Sequence, residues 1–87
     1  MTTKPPSAVK EFPPDSLEKI AYNSVSRIPA QEPNDLNRLG YHVLQWLKNR
    51  TGSLEDAIRV SGSRIHISRQ DALKIITEEL RKQGVQL

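Results

Sequence analysis

Apolar residues return at helical spacing in four separate runs along this chain, and each run is closed by glycine or proline. The first begins at Asp15-Ser16-Leu17-Glu18, where an acceptor three residues before a carboxylate makes a capping-box-like start. Leu17, Ile20, Ala21, Ser24 and Ile28 then form a narrow stripe that Pro29 ends, which predicts a helix over about 15–28. The second run is the strongest. Leu36, Leu39, Gly40, Val43, Leu44 and Leu47 follow one face, flanked by Tyr41 and Trp46, behind Asn34 as the expected N-cap of a helix over 35–50. Gly40 weakens a helix by up to ~1 kcal/mol relative to alanine, so its presence predicts close approach by another helix, most simply the first. Trp46 reads as a core or hinge residue.

Ser53 caps a short third helix over 54–60, with Glu55 and Asp56 at the positive end of its dipole and Leu54, Ala57, Ile58 and Val60 turned inward. Ser61-Gly62-Ser63 stops it, and Arg64-Ile65-His66-Ile67 alternates in the manner of extended chain. Ser68 caps the last helix, over 69–83, with Ala72, Leu73, Ile76 and Leu80 inward and Gly84 as its stop. Residues 1–14 differ in kind: Pro5, Pro6, Pro13 and Pro14 with little apolar content predict a flexible tail. The expected fold is therefore all-α, one four-helix domain over 15–87 behind a proline-rich arm.

The order helix, tight turn, short helix, turn, helix over 36–87 resembles the helix-turn-helix core of winged-helix domains. The run Gly52-Ser53-Leu54-Glu55-Asp56-Ala57-Ile58 is similar to the entry of their second helix. Glu79-Leu80-Arg81-Lys82-Gln83-Gly84-Val85 is similar to the end of their recognition helix. With Val85-Gln86-Leu87 as its last residues, the chain is expected to carry a minimal wing or none. The resemblance implies a nucleic-acid-associated domain, a regulator or a component of a transcription or DNA-processing assembly. A second resemblance runs over Ser63 to Leu73, where a basic residue and a short extended segment precede a serine-capped helix, as in histone-fold proteins. That fold requires one long central helix, which Thr51-Gly52-Ser53 interrupts. A generic helical bundle is the third alternative.

Charge adds a location. The chain carries a formal +3, and residues 1–33 and 71–87 each hold equal numbers of basic and acidic side chains. The stretch 36–70 instead carries Arg38, Lys48, Arg50, Arg59, Arg64 and Arg69 against Glu55 and Asp56 alone. A basic middle is the footprint that nucleic acid, DNA or RNA, leaves on a partner. On the recognition-helix reading, Gln70 or Arg69 meets a base edge, while Lys48, Arg64 and Lys74 meet phosphates. Arg50, His66 and Arg81 complete the candidate set. Asp71 and Glu78 share the outer face of that helix and oppose a phosphate backbone.

A protein partner or homodimer is the competing expectation. Val25 leaves the stripe of the first helix, Ile75 projects from that of the last, and Ile65 and Ile67 need cover, so these four are the candidate protein-interface residues. Catalysis is not expected. Without cysteine there is no thiolate nucleophile or thiolate metal site. His42 and His66 have no ligand spacing, and the adjacent pairs Glu55-Asp56 and Glu78-Glu79 do not converge on one atom when helical. No cofactor or small-molecule substrate is implied. No apolar run reaches the ~20 residues of a membrane span, and Met1 to Pro6 lacks the apolar stretch of a secretory leader, so the expected location is cytoplasmic or nuclear.

Overall fold

In the computed structural model, residues 14–87 are described, and they form four helices with no strand: α1 Pro14–Val25, α2 Pro33–Asn49, α3 Leu54–Ser61 and α4 Arg69–Lys82. The expected tail over 1–14 lies outside these residues, apart from Pro14, which opens α1. Each helix packs on its two neighbours in the circuit α1–α2–α3–α4–α1, and the diagonal pairs make no close backbone approach. The core inside the circuit is built on Ala21, Leu39, Val43, Ala72, Ile76 and Leu80, all fully buried.

The helix ends show local chemistry at work. The Ser53 hydroxyl accepts the Asp56 amide at 3.1 Å, and the Ser68 hydroxyl accepts the Asp71 amide at 3.0 Å. Each serine thus satisfies a donor that the first helical turn leaves orphaned. At the end of α4, Gly84 takes a φ of +94°. Its amide donates to the Arg81 carbonyl at 3.0 Å, and that of Val85 to the Leu80 carbonyl at 3.0 Å. This is a Schellman ending, and it folds Val85 back into the core.

Two helix limits differ from expectation. α1 stops at Val25 rather than 28, because the Ile28 amide donates to the Val25 carbonyl (3.0 Å), a tighter i→i+3 turn. α2 is capped at Glu32 rather than Asn34. Pro33 follows as the first helical residue, where its missing N–H costs nothing, and the Asp35 carboxylate accepts the Glu32 amide at 3.1 Å. Two side-chain placements are also corrected. Val25, expected at an interface, is 1% exposed, because α1 packs against both α2 and α4 and buries a wider stripe than one neighbour would. Val60, expected inward, is 55% exposed on the outer side of α3.

Gly40 sits where α1 crosses α2, under the ring of Tyr22. A Cβ built there would come within the 3.0 Å that real Cβ atoms respect of two ring carbons. Gly40→Ala therefore gains up to ~1 kcal/mol of helix propensity and loses about 1–3 kcal/mol to overpacking. The expected result is a net loss of roughly 1–2 kcal/mol in urea unfolding. In a Tyr22→Ala background the same change becomes neutral or stabilising, a coupling that a double-mutant cycle reads directly. Additive effects of the two changes would show that the ring does not dictate glycine.

Candidate nucleic-acid interface

The α3–α4 connection is held by a carboxylate. Asp35, in the first turn of α2, is fully buried. Its Oδ1 accepts the Arg64 backbone amide at 3.2 Å and the Arg38 guanidinium at 2.6 Å, and its Oδ2 accepts the Glu32 amide. The Arg64 side-chain Nε lies 3.7 Å from the same Oδ1. The Ser63 hydroxyl donates to the Asp35 carbonyl at 2.7 Å. Across the same connection, Ala30 and Ile65 form an isolated antiparallel bridge, with Gln31 N–H to Arg64 O and His66 N–H to Pro29 O both at 2.9 Å. Extended pairing in the alternating stretch is confined to the bridge at Ile65, pinned on one side by the α1–α2 loop and on the other by α2, and the chain bends at His66 and Ile67 before α4.

The Arg64 amide, the Arg38 guanidinium and the Arg64 charge together hold the Asp35 carboxyl below its ordinary value of 3.8, against a burial that pushes it up. A depressed carboxyl stabilises the fold fully above its unfolded value, and that contribution is lost as pH falls through the folded value. Stability should therefore decline below about pH 4. In Asp35→Asn, urea midpoints should be lower at pH 7 and should approach those of the wild type in acid. Equal midpoints for the two proteins at pH 7 would remove Asp35 from this role.

Three arginines lie around one cleft beside this anchored connection. Arg59 at the end of α3, Arg64 in the connection and Arg69 at the start of α4 line a cleft of about 440 Å³. Its other walls come from the Ser61–Ser63 turn and from Leu39, Ile58, Ile65 and Ile67, and among the described residues no carboxylate lines it. Arg59 pairs with exposed Asp56 at 3.1 Å, and Arg64 shares Asp35 with Arg38. Arg69 makes no ion pair among the described residues.

The predicted nucleic-acid residues divide into three places. Arg64 and Arg69 line the cleft, and His66, exposed, lies on the same connection. Gln70, Lys74 and Arg81 are exposed on the outer face of α4 in company with Asp71 and Glu78. Lys48 and Arg50 stand at the far end of α2, about 20–22 Å from Asp35 at 1.5 Å per residue. Arg50 is also engaged: its guanidinium lies 4.7 Å over the Trp46 ring and donates to the Gln86 carbonyl. With the Trp46 indole donating to the Gly52 carbonyl at 3.1 Å, the tryptophan is a clip across the α2–α3 turn. Arg38 and Arg59 were not among the predicted site residues. The only sequence signal for them is their membership of the basic middle.

Of the predicted interface residues besides Val25, Ile65, Ile67 and Ile75 are half-buried and pack against the core. Among the described residues, the exposed large apolar side chains are instead Tyr41, Val60 and Leu87. Tyr41 stacks edge-on to His42 at 5.5 Å, and Val60 edges a groove of about 200 Å³ that also reaches His42, Trp46 and Ala57, between α2 and α3. Among the described residues no three acidic or histidine side chains gather as a metal-binding group, and no helix is long and apolar enough to cross a membrane. No family model, curated protein or solved structure matches the chain.

Proposed function

We propose that this domain binds nucleic acid without catalysing a reaction, as a helix-turn-helix-like module of a transcription or DNA-processing assembly. The observation that carries the reading is the α3–α4 cleft, lined by Arg59, Arg64 and Arg69 and, among the described residues, by no carboxylate. Planar guanidinium groups match phosphate oxygens bidentately, and the backbone that carries Arg64 is pinned at Asp35. Arg38, half-exposed beside Arg64, extends the positive field outward.

The test is a fluorescence-anisotropy titration of labelled oligonucleotides at two salt concentrations. Three or four phosphate contacts predict affinity lower by roughly 20- to 150-fold at 200 mM than at 50 mM monovalent salt. Absence of binding at the lower salt would falsify the reading. A second reading, an adaptor for a protein partner or a homodimer, draws on exposed Tyr41 and Val60 beside the α2–α3 groove. Sedimentation across a wide concentration range tests the homodimer, and monomer behaviour throughout removes it.

A further inference from the structure

We infer that the α3–α4 cleft takes an unpaired nucleotide, so that its preferred ligand is single-stranded nucleic acid, with a base in the cleft and the flanking phosphates on its arginine rim. This rests on the nucleic-acid reading above and narrows it. Three observations carry it.

The first is the shape and mixed chemistry of the cleft. At about 440 Å³ it falls within the roughly 300–1,000 Å³ of sites that hold small organic ligands. Its arginines suit phosphate, but half-buried Ile65 and Ile67 give it an apolar part that phosphate alone does not use. A nucleotide presents both chemistries at once, an anionic backbone and a flat base that packs on apolar side chains or under a guanidinium plane. In a duplex the bases are stacked and paired, and none reaches into a recess without being flipped out.

The second is the outer face of α4. A recognition helix laid in a major groove turns that face to the base edges, with the phosphate backbones along both its flanks. Here Asp71 and Glu78 lie exposed among Lys74 and Arg81, so duplex insertion sets carboxylates against phosphates. The third is at the start of the same helix, where the Ser68 hydroxyl already accepts the Asp71 amide at 3.0 Å and so removes a donor that a backbone phosphate would use. Of the cleft arginines, Arg59 and Arg64 share their charge with Asp56 and Asp35, and Arg69 has no ion pair among the described residues.

The experiment measures anisotropy of the full chain with a labelled 12-nucleotide mixed-sequence single strand, its duplex, and an abasic strand of equal length, at 50 mM salt. The single strand is expected to bind about tenfold more tightly than the duplex, and the abasic strand about five- to tenfold more weakly than the intact one, because each stacked base adds to affinity. Arg69→Glu should lower single-strand affinity by about tenfold or more. That residue is exposed and has no ion pair among the described residues, and a far-UV spectrum shows that the variant keeps its fold. Lys48→Glu, at the far end of α2, should change it by less than about threefold. Equal or tighter duplex binding overturns this inference and leaves the nucleic-acid reading standing. Equal affinity for intact and abasic strands, or equal loss in the two variants, also overturns it. No binding to any of the three overturns both.

Discussion

Val25→Asp is expected to leave the chain largely unfolded at pH 7. Val25 is 1% exposed between α1 and its two neighbours. Removing a buried valine forfeits about 1.5–3 kcal/mol of apolar burial. An ionised carboxylate without a partner in the same place costs several kcal/mol more. A chain of this length has a total stability of roughly 4–13 kcal/mol, so the substitution consumes most or all of it. The readout is far-UV circular dichroism at 25 °C, where the helical signal should collapse or melt at a much lower urea concentration. Wild-type unfolding with altered self-association would instead return Val25 to a surface.

Leu39→Ala is the second large effect, expected at about 3–4 kcal/mol, within the range for fully buried leucines. Leu39 is fully buried in α2 and also backs the arginine cleft. Its loss should lower the urea midpoint without changing the m-value, since the surface exposed on unfolding hardly changes. Leu36→Ala, at a half-buried position of the same helix, is the internal comparison and should cost clearly less. Equal losses at the two positions would contradict the core described above.

The features legible in the sequence are those whose causes are local. Ser53, Ser68 and Gly84 act on amides and carbonyls within a few residues of themselves, and each is found in its expected role. Gly40 was legible because a glycine on the buried stripe of a strong helix calls for a close neighbour, and Tyr22 supplies it. α2 begins earlier than expected because Asn34, a residue type suited to capping, gives way to Glu32 as the cap. What decides between them is Asp35, whose partners Ser63 and Arg64 lie 28 and 29 positions further on. Val25 departs from expectation because two neighbours cover α1, and a single stripe does not describe its buried face.

The basic middle has the same lesson for the site. Charges counted along the chain ignore the length of α2, which carries Lys48 and Arg50 away from Arg64 and Arg69. Nor does a count show which charges are already engaged: Arg50 serves the Trp46 clip, whereas Arg69 makes no ion pair among the described residues. Arg59 joins the cleft only because α3 returns alongside α2 and ends beside the pinned connection.

The proposal that the α3–α4 cleft is where nucleic acid binds is tested most directly by backbone amide chemical-shift changes as a 12-nucleotide single strand is added to the labelled chain. The account predicts that the largest changes cluster over residues 59–70, with smaller ones near Arg38 and little change at Lys48. Changes concentrated on the Lys74–Arg81 face of α4, or on Tyr41 and Val60, would contradict it.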